Sequence, residues 1–161
     1  MQDNYLDSIV KLLLDNLREY DFVLSGGYAL NKLELSYRPT LDIDLFTNML
    51  DPDRFSKAVN KVLGALDEAG YQVRLEREST LYAKISIGDS MNSIDVDFGY
   101  DYREFEPIIC EVGPVLNELD AILNKVSAMY ARWLPRDFID LYYIRQSGVI
   151  TDAEILDHSH E

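Results

Sequence analysis

Cysteine occurs once in the 161 residues, at Cys110, so no internal disulfide can form, which fits a reducing compartment. Histidine occurs only at His158 and His160, and no His/Cys zinc spacing exists, so both are expected to be non-catalytic. No apolar run approaches the roughly 20 residues of a membrane span. The amino-terminal stretch MQDNYLDSIVKLLLDN also lacks the basic region and cleavage site of a secretory signal. A cytoplasmic protein without membrane contact is the expectation. Basic residues are scarce as well: 15 Lys and Arg stand against 29 Asp and Glu, a formal net charge of −14. Such a surface repels nucleic acid, whose binding draws on cations that neutralise phosphates. An RNA or DNA partner would need a local basic patch, whereas cationic ligands, basic proteins and metal-bridged substrates suit the balance.

What is present is an ordinary globular composition, 47% apolar, in a chain long enough to bury a core. Repeats, low-complexity tracts and linkers are absent, and the reading is one α+β domain over residues 1–161. Its sheet core is expected over about residues 20–112 and its carboxy-terminal helices over about 116–161. Leu6, Ile9, Val10, Leu13, Leu14 and Leu17 recur at helical spacing. A strand from Asp21 to Ser25 should end at Gly26-Gly27, with a helix over Tyr28–Leu35. Leu41, Ile43 and Leu45 alternate with Asp42, Asp44 and Phe46, which predicts a half-buried strand. Asp51-Pro52 opens a helix that Gly70 stops. Strands follow over Tyr71–Glu76, Leu81–Ile87, Ser93–Phe98 and Ile108–Glu111, the second and third joined by a Gly88-Asp89-Ser90 turn. Helices are predicted over Leu116–Trp133 and Arg136–Gln146. A further one starts at the Thr151/Glu154 capping box, and its early stop at Glu161 leaves open a longer natural chain.

Three Asp-x-Asp pairs occur, Asp42/Asp44, Asp51/Asp53 and Asp95/Asp97, but random placement of 18 aspartates gives about two. Spacing alone therefore says little. Asp51/Asp53 sits at a helix start, where capping and the helix dipole favour acids. The other two pairs lie on apolar strands, where acids are unfavourable unless solvated, paired or metal-bound. Period-two geometry puts Asp42 and Asp44 on one face, roughly 6–7 Å apart, a separation that can bracket divalent ions. Asp95 and Asp97 share a face in the same way, and three convergent carboxylates would suit Mg²⁺. A solvated polar sheet face is the competing reading. The Gly26-Gly27 turn between strand and helix adds a place where backbone N–H groups can meet phosphate, although no Gly-Lys-Ser/Thr follows as in a P-loop.

Bland readings stand beside the later residues too. Lys125 borders an apolar stripe and could be a snorkelling surface lysine. Asp137 sits in a first helical turn, where a dipole role is natural. Arg38 and Arg136 could contact phosphates or pair with surface acids, and the tyrosines suit core and rim.

The chain resembles the AbiEii-type nucleotidyltransferase toxins, within the DNA polymerase β-like nucleotidyltransferase superfamily. The resemblance rests on LSGGYAL with YRPTLDIDLFT (24–30 and 37–47), IDVDFGYDYR (94–103) and LDAILNKVSAMYARWLPRDFIDLYYI (119–144). It implies a nucleotidyltransferase-like mixed or antiparallel sheet flanked by helices, and transfer of a nucleoside monophosphate from an NTP with release of pyrophosphate. By that resemblance Asp42, Asp44 and Asp97 hold Mg²⁺ (or Mn²⁺), and Asp97, preferred over Asp95 as third carboxylate, helps deprotonate the acceptor hydroxyl. Ser25, Gly26, Gly27, Arg38 and Lys125 would bind the nucleotide, with Asp137 orienting Lys125 or the acceptor. Some relatives modify the acceptor end of tRNA as toxins beside a separately encoded antitoxin, with no obligatory contact between the two. Two other functions fit the sequence: a non-catalytic module that keeps the fold to bind a nucleotide or partner, and transfer onto a small cationic acceptor such as an aminoglycoside.

Overall fold

The computed structural model describes residues 2–89 and 92–158. Helix α1 (Gln2–Leu17) buries the stripe from Leu6 to Leu17 that its spacing predicts. Helix α3 (Pro52–Glu68) does the same with Phe55, Ala58, Val59, Val62 and Leu66. The Asp51 side chain caps α3 by accepting from the Arg54 N–H at 3.0 Å, and Gly70, at φ 81°, lies just beyond its end.

Strands β1 (Phe22–Ser25), β2 (Ile43–Thr47), β3 (Val73–Ser79), β4 (Tyr82–Gly88), β5 (Ser93–Tyr100), β6 (Ile108–Cys110) and β7 (Gly113–Val115) form one sheet in the order β3-β4-β5-β2-β1-β7-β6. The sheet is mixed: β2 runs parallel to β5 and β1 parallel to β7, and the remaining pairs are antiparallel. Alternation then sorts the side chains. Leu24, Ile43, Leu45, Ala83, Ile85, Val96 and Phe98 join α1 and α3 in the main core. On the opposite face Val23 packs with Leu30, Leu35, Ala121, Ile122 and Ile144 in a second core. Those residues come from the segment around α2 (Gly26–Lys32) and from α4 (Glu118–Arg132) and α5 (Pro135–Ser147). The Thr151/Glu154 capping box forms as expected at the start of α6 (Asp152–His158). No helix among the described residues is long and apolar enough to cross a membrane.

The α+β arrangement expected from the sequence is present, with local differences. Helix α2 starts at Gly26 rather than Tyr28 and ends at Lys32. Strand β2 starts at Ile43, so Asp42 precedes it and Leu41 is exposed instead of half-buried. Strand β3 lies two to three residues later than predicted, because VRLERES is an edge strand that pairs only with β4 and carries no apolar alternation. Strand β7 was not foreseen, since Gly113-Pro114 reads as punctuation. Its Pro114 sits where β7 meets β1 only through the Leu24–Val115 pairing. Ser90 of the expected turn and His160 lie outside the described residues, as does the His158 side chain.

Candidate active site

The parallel pairing of β2 and β5 sets Asp44 directly beside Asp97. The antiparallel pairing of β1 and β2 sets Ser25 beside Asp44. Sheet register alone therefore brings a hydroxyl and two carboxylates to one spot, at the end of β1 where the chain turns into α2. The turn is tight against them. A Cβ on Gly26 would lie 1.7 Å from Asp44 Oδ2, and Gly26 holds φ at +66°. A Cβ on Gly27 would lie 2.6 Å from Arg38 Nη2. The two glycines are thus the first turn of a helix pressed against a carboxylate and a guanidinium.

These residues open onto a cleft of 410 Å³, whose other wall is α4. Nine of the residues singled out in the sequence line it: Ser25, Gly26, Gly27, Arg38, Asp42, Asp44, Asp97, Lys125 and Arg136. Asp137 does not. It is fully buried behind the cleft, where it accepts from Lys125 at 3.1 Å and from Arg132 Nε and Nη2 at 2.9 Å each. Of the two candidates for the third carboxylate, Asp97 lines the cleft, whereas Asp95 is tied to Lys84 at 2.7 Å.

Behind the wall lies a charge network that the sequence reading left incomplete. Asp140, also fully buried, accepts a two-pronged hydrogen bond from Arg38 (Nε 3.0 Å, Nη2 3.1 Å) and one from Ser36 Oγ at 2.8 Å. Lys125 Nζ reaches the same carboxylate at 3.0 Å. Three cations, Arg38, Lys125 and Arg132, thus share two buried acids and leave the cluster positive towards the cleft. Hydrogen bonds from Arg132, joined by Lys125, hold the Asp137 carboxyl down at about 2. At Asp140 burial disfavours the charge, but Arg38, Lys125 and Ser36 outweigh it and keep the carboxyl below its usual range. Asp137 and Asp140 stand three apart, on one face of α5, and that spacing was the available signal for both.

Asp44 behaves in the opposite way. Burial first, then the charges of Asp97 and Asp42, raise its carboxyl to about 6, against the pull of Lys125 and Arg136. Tyr82, on β4, donates to Asp97 Oδ1 at 2.5 Å, which pushes the phenol pKa up. Asp42 turns its Oδ2 to Arg136 at 3.5 Å. Ser25 Oγ is buried and unpartnered beside the carboxylates. Among the described residues, no three acidic, imidazole or thiol side chains group closely enough to cage a metal unaided. Tyr82 and Arg132 carried no sequence signal that set them apart from other residues of their type.

A family model described as nucleotidyl transferase AbiEii toxin, type IV toxin–antitoxin system, matches residues 10–160. No curated protein sequence matches the chain. Among solved structures, a protein of H. pylori assigned to the nucleotidyltransferases superposes with TM-score 0.68 at 17% identity, over 91% of this chain and 69% of that one. MenT4, a nucleotidyltransferase toxin of Mycobacterium tuberculosis, gives 0.59 at 18%, over 94% of this chain and 60% of its own. The antibiotic-resistance factor ANT(2″)-Ia gives 0.60 at 15%, over 99% and 98%. At these identities the likeness is one of fold, and the fold is that of the nucleotidyltransferases.

Proposed function

Because the chain belongs to the AbiEii family of nucleotidyl transferase toxins of type IV toxin–antitoxin systems, we propose that its cleft moves a nucleoside monophosphate from an NTP to an acceptor hydroxyl with a divalent cation. The observation that carries this reading is the register pair Asp44 and Asp97, within electrostatic reach of Lys125, Arg132 and Arg136.

The residues fit a hard cation. Asp44 is raised by burial and then by its acidic neighbours, a cost that a divalent ion relieves, and the unpartnered Ser25 hydroxyl adds an oxygen beside them. Mg²⁺ is usually bound through one or two carboxylates together with substrate phosphates, so a three-acid cage is not required. Asp44 and Asp97 would hold it, and Asp42 would join when Arg136 turns from it to a phosphate. When bound, the ion offsets charge on the attacking and leaving oxygens of an in-line displacement.

The chain's own groups do the rest. Gly26 and Gly27 let Asp44 and Arg38 close on the turn, whose backbone would line the phosphates beside Ser25, and Lys125, Arg38 and Arg136 would meet their charge. Asp137 and Asp140 hold Lys125 and Arg38 in place. Asp97, steadied by Tyr82, takes the proton of the acceptor hydroxyl as its oxygen bonds to the α-phosphorus and pyrophosphate leaves. A separately encoded antitoxin that need not touch the protein is the partner this family implies.

The test is incubation with each α-labelled NTP, Mg²⁺ and either total RNA or an aminoglycoside. Label should enter one acceptor class, and Asp44→Ala should reduce it about 100-fold or more, the scale on which catalytic charge stabilisation is lost. Absence of labelling, or labelling undiminished in Asp44→Ala, contradicts the reading.

A further inference from the structure

At the corner between α4 and α5 stand two exposed rings. Trp133 is 67% exposed and Phe138 43%, with centroids 5.8 Å apart and planes tilted by 45–50° (47°). Exposed aromatic pairs are unusual on a protein surface, where such area is normally buried or used.

The backbone makes this one more unusual. Trp133 caps α4 at φ 51°, ψ 40°, in the left-handed region, with its N–H on Met129 O at 3.1 Å. Glycine or asparagine normally fills that place, and a bulky side chain there is an outlier. Trp133 is the only tryptophan in the chain. Its ring therefore stands at a position that local folding would assign to another residue.

Its surroundings identify what it serves. Arg132 immediately precedes it and Arg136 lies between the two rings in sequence, and both arginines line the cleft. Arg136 is only loosely held, its ion pair with Asp42 measuring 3.5 Å. The cleft holds four cations, Arg38, Lys125, Arg132 and Arg136, against four acids, Asp42, Asp44, Asp97 and Asp101, whereas the whole chain carries 15 against 29. The cleft is thus richer in cations than the chain as a whole, and two of its four flank Trp133 in sequence. A flat π-surface next to phosphate-seeking guanidinium groups has the chemistry that takes a base attached to a phosphate.

We propose that Trp133 and Phe138 form a stacking platform for a nucleobase at the rim of the cleft, with Arg136 meeting the adjoining phosphate. This deepens the nucleotidyltransferase reading and rests on it. The base belongs either to the incoming NTP or to the end of an RNA acceptor, and the experiment separates these two sources.

The lone indole reports on itself. Tryptophan fluorescence is titrated with the four NTPs, with inorganic tripolyphosphate and with a short single-stranded oligoribonucleotide, all in Mg²⁺. Quenching by NTPs assigns the base to the incoming nucleotide. Quenching by the oligoribonucleotide but not by NTPs assigns it to the acceptor. Tripolyphosphate should leave the emission unchanged.

Trp133→Gly supplies the second arm by calorimetry. The glycine suits the left-handed cap, so the variant should melt no lower than the wild type while binding the quenching ligand about tenfold more weakly or worse, as loss of a stacked base implies. Quenching by tripolyphosphate equal to that by NTPs, emission unmoved by every base, or unchanged affinity in Trp133→Gly overturns the platform. The two readings fail separately. Label transfer by the wild type without quenching removes only the platform, and quenching without transfer removes only the catalytic reading.

Discussion

Gly26 and Asp44 are a single structural unit. The glycine holds a positive φ, and the space its side chain would occupy is already filled by an Asp44 carboxylate oxygen. Gly26→Ala should therefore displace the carboxylate as well as strain the backbone. We expect a stability loss of about 1–3 kcal/mol and near-complete loss of transfer, measured by urea denaturation and NTP labelling. The Asp44 carboxyl also dictates a pH signature. Its native pKa of about 6 lies above its unfolded value, so the native state binds more protons between the two, and stability from this group falls as pH rises from about 4 to 6. In metal-free buffer Asp44→Asn should abolish that slope and leave the variant more stable than wild type at pH 7, by roughly 1–3 kcal/mol. Added Mg²⁺ should raise the wild-type melting temperature and leave that of Asp44→Asn nearly unchanged. The sequence could name Asp44 but not this behaviour, because its neighbour Asp97 lies 53 positions away and only the parallel register joins them.

At the scale of elements, α4 and α5 are bound to the segment after α2 by buried charge as much as by apolar contact. Arg38, Lys125, Asp137 and Asp140 come from three places in the chain, and each acid is shared by two cations. Removing one carboxylate strands buried positive charge. Asp140→Ala should cost about 3–5 kcal/mol, read from chemical denaturation, and should release Arg38 from its two-pronged grip. Asp137, held at about 2, contributes stability above the ordinary carboxylate range that is lost only as pH falls towards 2. The amphipathic stripes of α1, α3 and α4 were visible in the sequence because one period describes a helix buried on one side. Strands β3 and β7 were misplaced or unseen for the converse reason. An edge strand of charged residues and a three-residue strand around a proline carry no alternation, and only their neighbours make them strands. Asp42 was assigned to β2 on the same alternation, yet the strand begins one residue later, which frees Asp42 to pair with Arg136.

On the scale of the whole molecule, the net charge of −14 sets the approach of any polyanion. The cleft balances its charges, so the repulsion is long-range and diffuse, and salt screens it. If the acceptor is RNA, kcat/KM should hold level or rise between 10 and 150 mM salt, about the range over which screening shortens from roughly 30 to 8 Å. A steep fall with salt would instead mark a binder that relies on many phosphate contacts. Composition alone revealed the acidic field, but the local neutrality of the cleft depends on tertiary structure.

The hydrogen bonds from Ser36 and Arg38 to Asp140 span more than 100 positions. During synthesis β1 and β2, with both glycines and Asp44, leave the ribosome first, and Asp97 follows. Every cation of the cleft except Arg38 belongs to the final quarter of the chain, as do both buried acids that anchor them. A nascent chain therefore displays the cleft carboxylates before Lys125, Arg132 and Arg136 are made. The cleft can close around its carboxylates only after α4 and α5 have emerged and packed.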